Sequence, residues 1–492
     1  MEGPAGAEPS PRSGTDPGSS AYETAGSALR RLRHAVLTLP RATSPQIASW
    51  WLGQRLNEHV TTDVSASRSV PVDAARALSL LVVVAFHMTM FGVSGSTLDG
   101  GLPGGIFRGA WIPVSWVLSW FAMVMPLFFV VSGYANAHVL DRQHSEGGSY
   151  GTWLVERGRR LLGPLVLYVG VWASLGTLLA WAGMLDTARA GTLALTKVLW
   201  FLLIYLVLIC VAPVMYVAHD RWGVWVFVVL GVGAVGLDAV RFVLGGAWAG
   251  SANFVLVWVF VHQLGVAYHR GWWRTGPVAR VWLTLGGALA ALVALLFVVG
   301  YYPRSAVALG DGDIANLMPP TAAMAALALA QTAVLALVER RVGPALGRSR
   351  RLKALLRPMN SLAMTIYLWH GPIIALGIWL LVQLAQAFPP AAVVLLGRPT
   401  LIALAVPLMF GLIPLIGVLE RRLVPPSDAE SRSGLAAASM ALLVLGFGLV
   451  YQTGILVHPS APRATLGVVC LAAGVLVFRV AAMRRTGSGV NR

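Results

Sequence analysis

Apolar runs of about 20 residues recur along the chain, separated by short polar breaks. A helix of that length rises about 30 Å, the thickness of the hydrocarbon core of a bilayer. The pattern predicts twelve spanning helices: residues 72–92, 113–138, 161–184, 195–217, 222–243, 250–268, 281–301, 317–338, 359–385, 394–418, 435–456 and 464–482. The fold class that follows is all-α, a polytopic transmembrane helix bundle. Residues 1–45 are rich in Gly, Ser, Pro, Ala and Arg without periodicity, which predicts a disordered basic cytoplasmic tail. No apolar core follows the early arginines closely enough for a secretory signal peptide. Within 46–70, "IASWWLGQRLNEHV" (47–60) reads as an interfacial helix with Trp50 and Trp51 at the membrane surface. Residues 483–492 read as a second cytoplasmic tail.

Composition supports this picture. The chain has 492 residues, 57% hydrophobic and 12% charged, whereas charged residues make up about 25% of a soluble domain. A net charge of +17 would suit nucleic acid in another chain. Here the basic residues sit in the breaks between apolar runs, so topology accounts for them and no nucleic-acid partner is expected. With a cytoplasmic N-terminus, only Arg108, Arg189, Lys197, Arg241, Arg304, Arg398 and Arg463 of the 37 basic residues fall outside. The predicted topology is therefore N-in and C-in. The chain shows no pair of matching halves and no long central loop between two six-helix bundles, the marks of many transporters. Its most basic break, Glu339–Arg357, lies between the eighth and ninth spans. Cys210 and Cys470 sit in separate apolar runs and read as small buried hydrophobes, with neither a disulfide nor a metal site implied.

Ionisable groups at membrane depth are costly, and each calls for a function or a partner. The first span, "RALSLLVVVAFHMTMFG" (76–92), carries Arg76 and His87, with Asp73 one turn earlier. At 100° per residue, Arg76 and His87 share one face to within about 20° and lie about 16 Å apart along the axis. One stripe thus presents a guanidinium fork suited to phosphate at its mouth and an imidazole suited to general-base chemistry inside. Taken singly, His87 is equally well explained by an interhelical hydrogen bond and Arg76 by snorkelling. His370 on the ninth span lies at a depth similar to His87, on a helix that can touch the first. Ser132 and Gly133 in "PLFFVVSGYANAH" (126–138) permit close helix packing. His262 and Gln263 predict an interhelical hydrogen bond, and Glu420 with Arg421 and Arg422 an interfacial ion pair. No Gly-rich phosphate loop, HExxH or GxSxG pattern is present.

Together these residues resemble the acyltransferase-3 family of integral membrane acyltransferases. Arg76 followed after ten residues by His87 is similar to its R-x10-H signature, and "FFVVSGY" (128–134) to its second-helix motif. "RGRRLLGPLVLY" (157–168) resembles its basic approach to the third helix, and "LWFLLIYL" (199–206) its tryptophan-containing fourth-helix segment. "IYLWH" (366–370) is similar to a late YLxH motif, where members often read SYALYLWH and this chain has Ala363 and Met364. "VLERRLVPP" (418–426) resembles the closing segment. The resemblance implies a ten-helix acyltransferase domain over 71–426, with the two spans at 435–482 appended.

It also implies transfer of an acyl group, acetyl by default, from cytoplasmic acyl-CoA to a hydroxyl of a carbohydrate, glycolipid or cell-envelope glycan. No cofactor would be permanently bound, and acyl-CoA would be the donor substrate. The partners implied are the lipid bilayer, acyl-CoA and a sugar or glycolipid acceptor. The expected location is a bacterial cytoplasmic (inner) membrane. Arg76, Arg157 and Arg160 would hold the CoA phosphates. His87 would act as base or nucleophile, with His370 orienting the acceptor. Asp73, Ser132 and Tyr134 would line the substrate channel. The competing reading, for which twelve spans and intramembrane polar groups also speak, is a transporter or lipid flippase without acyl-transfer chemistry.

Overall fold

The computed structural model describes residues 69–92, 105–106, 115–308, 315–424 and 432–482. The tail at 1–45, the interfacial segment at 47–60 and the last ten residues lie outside the described residues. All twelve predicted spans are helices. The first is α1 (Val70–Met90), after which a two-residue antiparallel ribbon pairs Phe91–Gly92 with Gly105–Ile106. The second span is broken into α2 (Ser115–Ala122) and α3 (Met125–Ser145). Then come α4 (Tyr150–Trp181), the short connecting α5 (Leu185–Thr196), α6 (Leu199–Trp222), α7 (Val224–Phe242) and α8 (Ala247–His269). α9 (Val278–Val293) runs into a π-helical turn, and α10 (Ala322–Arg348) leads to the short α11 (Arg350–Ser361). α12 (Ala363–Ala387), α13 (Arg398–Leu423), α14 (Ser433–Thr453) and α15 (Pro462–Ala482) complete the bundle.

The break between α2 and α3 has a local cause. Pro126 has no N–H to donate to the preceding turn, so it sits in the first turn of a new helix. The break strands the Met123 carbonyl, and Gln331 Nε2 of α10 donates to it at 2.7 Å. That bond matters because an unsatisfied backbone group at membrane depth is costly.

Two boundaries differ from expectation in a way that shapes the site. α4 starts at Tyr150, eleven residues before the predicted third span, with Ser149 capping it through the Thr152 N–H at 3.2 Å. Arg157, Arg159 and Arg160 therefore stand on the helix two turns in and do not precede it. The basic break after the eighth span is likewise helical: α10 runs on to Arg348, and Ser349 caps α11 through the Leu352 N–H at 3.2 Å. Hydropathy marks where the hydrocarbon core ends, whereas the helix continues past it, in α10 even through Pro344.

Glycine sets the tightest helix contact. A Cβ placed on Gly133 of α3 falls 2.0 Å from the His262 carbonyl oxygen of α8, and one on Gly265 of α8 falls 2.0 Å from the Val130 carbonyl oxygen of α3. Backbone meets backbone here, and only hydrogen fits on either side. The interhelical bonding expected of the next pair is present: His262 Nε2 meets Asn136 Nδ2 at 2.9 Å, and Gln263 Nε2 donates to the Met215 carbonyl at 3.2 Å. The last two helices pack on each other through Gly446, Gly467 and Gly474 and dock on α4. A Cβ on Gly158 of α4 would lie 2.5 Å from the Phe478 ring and 2.6 Å from Met440. Cys210 and Cys470 are both free.

Candidate active site

Asp73 and Arg76 face a cavity of about 1430 Å³ at the end of the bundle that carries the arginines. Its walls come from α1, α3, α4, α6, α11, α12 and α13. Of the residues singled out in the sequence, Asp73, Arg76, Ser132, Tyr134, Arg157 and Arg160 all line it. Eight arginine and lysine side chains face this space against three carboxylates, those of Asp73, Glu156 and Glu420.

Each cation is held differently. Arg157 is buried, donates to Asn136 Oδ1 and stacks over the Trp153 ring with 5.5 Å to its centroid. Asn136 in turn meets His262, so α3 carries a polar chain from the α4 guanidinium into α8. Arg157 Nε is buried and has no hydrogen-bond partner among the described residues. Glu156 accepts from Arg142 at 2.5 Å and from Gln143 at 2.7 Å, with Arg160 4.0 Å away. Ser132 Oγ is buried on the cavity wall with no hydrogen bond among the described residues. On the cavity wall, Tyr134 lies under the Arg274 guanidinium, 5.7 Å from ring centre to Cζ.

His87 and His370 form a second constellation outside this cavity. Their ring centroids are 4.9 Å apart, with the planes at 67°. His87 Nδ1 lies 2.8 Å from the Val83 carbonyl oxygen, and His370 Nδ1 lies 2.7 Å from that of Tyr367. A carbonyl can only accept, so Nδ1 carries the hydrogen in both rings and the basic lone pair falls on Nε2. His370 is fully buried, and its Nε2 has no partner among the described residues. Val84 and Met88, on either side of His87 in α1, and Ile374 and Ile378, one and two turns after His370 in α12, belong to one buried apolar cluster. Between the cavity and His370 stands an aromatic wall. Phe128, which lines the cavity, packs on Phe201 at 5.0 Å, Phe201 on Tyr367 at 4.6 Å, and Tyr367 on His370 at 6.0 Å.

Glu420 corrects a sequence expectation. It does not form an interfacial ion pair with Arg421 and Arg422: its carboxylate is buried and accepts from Thr365 Oγ1 and, at 3.3 Å, from Trp369 Nε1. Thr365 and Trp369 are one helical turn apart on α12, the helix of His370. The signal was present in the periodicity, since Ile413, Gly417 and Glu420 repeat at the spacing of one buried face. Asn136 was also missed, although it lies three residues after Gly133 on the same side of α3. A further group closes the arginine-rich end. Asp141 faces His269 at 2.5 Å and Arg270 at 3.2 Å and accepts from Tyr216, and Glu339 accepts from Tyr268, from Ser69 at 3.1 Å and from Arg274 at 3.2 Å. No group of three metal-ligating side chains occurs among the described residues.

A family model described as an acyltransferase domain matches residues 71–418. The match runs from the start of α1 into α13 and takes in both histidines and Arg76, Arg157 and Arg160. No curated protein and no solved structure matches the chain.

Proposed function

The chain belongs to the acyltransferase-3 family and is a membrane acyltransferase, and we propose that it moves an acyl group, acetyl by default, from cytoplasmic acyl-CoA to a hydroxyl of a carbohydrate, glycolipid or envelope glycan. The observation that carries this reading is the arrangement along α1. A cation-lined cavity holds one end of the helix, and two touching imidazoles, each with its basic lone pair on Nε2, sit at the other. The arginine-rich end faces the cytoplasm, in the N-in and C-in topology that the basic residues indicate.

In this reading the donor's phosphates lie among Arg76, Arg157 and Arg160, where guanidinium forks match phosphate geometry. The pantetheine arm runs along α1 toward His87, about 16 Å away by helical rise. His87 Nε2 takes the proton of the acceptor hydroxyl, and the hydroxyl oxygen attacks the thioester carbonyl carbon. The C–S bond breaks, the imidazolium gives its proton to the departing CoA sulfur, and both histidines end neutral. His370 orients the acceptor from the facing helix, and Ser132 and Tyr134 line the donor's path. Phe128, Phe201 and Tyr367 keep cavity water from the imidazoles until the donor is in place, which limits thioester hydrolysis.

The test uses the full chain in nanodiscs with labelled acetyl-CoA and an envelope glycan extract. Acyl label appears in the glycan with the wild-type protein and is lost with His87→Ala. Transfer by His87→Ala at the wild-type rate overturns the mechanism, and wild-type protein that neither binds nor consumes acyl-CoA overturns the donor. Comparing envelope glycan masses with and without the gene then identifies the acceptor by its missing acyl mass.

A further inference from the structure

Not every cation around the cavity is committed. Arg142 and Arg160 share Glu156, and Arg157 is bonded to Asn136. Lys353 and Arg357 of α11 also line the cavity, yet neither has a hydrogen bond or ion pair among the described residues. They are four residues apart, which places their Cβ atoms about 5–6 Å from each other on one face.

The setting of α11 makes this face deliberate. Leu356, Asn360, Lys353 and Arg357, all cavity-lining, fall within an arc of about 100° on the helix. Leu355, on the other side, is 59% exposed. An amphipathic helix lying at a membrane surface ordinarily turns its cations to water and headgroups. Here Lys353 and Arg357 border the cavity at its rim, with Leu355 on the opposite side of the helix. Asn360 Nδ2 fixes the orientation by donating to the Asp73 carbonyl of α1 at 3.1 Å.

Two unpaired cations at one turn's spacing match a phosphate monoester, which carries about two negative charges and three acceptor oxygens near neutral pH. The cavity also has a gradient of burial: Arg157 is 6% exposed, whereas Lys353 and Arg357 are exposed at the rim. A donor whose reactive arm points inward places its diphosphate in the inner cluster and any terminal phosphate at the rim.

We propose that Lys353 and Arg357 form a separate phosphate-monoester subsite that recognises the terminal phosphate of the donor, which for acyl-CoA is the 3′-phosphate on the ribose. This rests on the acyl-CoA reading above and deepens it: the subsite distinguishes CoA from the same molecule without that phosphate.

The experiment is a titration of the full chain, in nanodiscs of neutral lipid, with CoA and with dephospho-CoA. Wild-type protein binds CoA more tightly by about tenfold or more, as a pair of charge-assisted contacts gives. Lys353→Gln with Arg357→Gln binds both compounds at the wild-type affinity for dephospho-CoA, and Lys353→Arg with Arg357→Lys restores the preference. A wild-type protein that binds both compounds equally overturns the subsite and leaves the acyl-CoA reading standing, whereas one that binds neither overturns both. Equal weakening of both compounds by the double glutamine variant also overturns the subsite, because that result describes a damaged cavity. Repeating the titration in nanodiscs of anionic lipid separates the two sources of phosphate. A preference that survives there belongs to the nucleotide, and one that anionic lipid erases assigns the cations to headgroups and overturns the proposal.

Discussion

The two ends of α1 each carry an ionisable side chain in an otherwise apolar helix, and the protein accommodates them by opposite means. Around Arg76 it gathers more charge: a large cavity, a majority of cations and three carboxylates, of which Glu156 pairs with Arg142 and Arg160. Around His87 it gathers a second imidazole and backbone carbonyls. The two imidazoles meet each other, and Nδ1 of each lies against a backbone carbonyl oxygen. The difference follows from what each group costs to bury. A guanidinium stays ionised and needs counter-charge or water, whereas an imidazole can be held neutral with one hydrogen bond to a carbonyl. In the proposed function, one end holds the donor's phosphates and the other keeps the general base dry.

That division predicts separable defects. The largest is at the dry end: His87→Ala lowers turnover by about 10²–10⁴-fold, the usual contribution of a positioned general base, while the CoA dissociation constant moves little. Single-turnover transfer and CoA titration on the same preparation measure both. An equal loss of binding and turnover would break the comparison. Next comes Arg157→Ala at the charged end, with donor affinity reduced by about 10–100-fold. Arg157→Lys recovers only part of it, because Asn136 and the ligand are met by a planar fork. Raising ionic strength from low salt to about 0.5 M weakens donor binding by a smaller factor, since exposed rim cations are screened and buried Arg157 much less. A salt dependence abolished by Arg157→Ala alone would show that the rim contributes nothing. The smallest effect is Glu420→Gln, which keeps an acceptor for Thr365 and Trp369 while removing the charge; transfer falls by only about threefold, in line with the loss of one charge-assisted hydrogen bond. A change as large as that of His87→Ala would mean that Glu420 takes part in the chemistry and does not merely brace the helix of His370.

How much of this was legible in the sequence varies by residue. The twelve spans were, because a bilayer of fixed thickness turns run length into structure. The meeting of His87 and His370 followed from equal depth on helices that can touch. The basic clusters were read as breaks between helices, and there the reading failed at α4, α10 and α11. Charge signals the end of the membrane, not the end of the helix, and only capping residues such as Ser149 and Ser349 mark the latter. Glu420 was misjudged because its neighbours Arg421 and Arg422 suggested an exposed cluster, although the Ile413–Gly417–Glu420 period already placed it inside. The aromatic wall from Phe128 to Tyr367 joins three separate helices, and no spacing within one segment encodes such a contact.

The contact between Gly133 and Gly265 has a consequence for how this sequence can drift over generations. Neither position can accept even a methyl group while the other helix keeps its place, so a change at one is tolerated only with a shift of the whole facing helix. Both should therefore stay fixed in lineages that acylate quite different molecules. The record of what each lineage modifies would then be written elsewhere, in side chains that surround the imidazoles and are free to change one at a time.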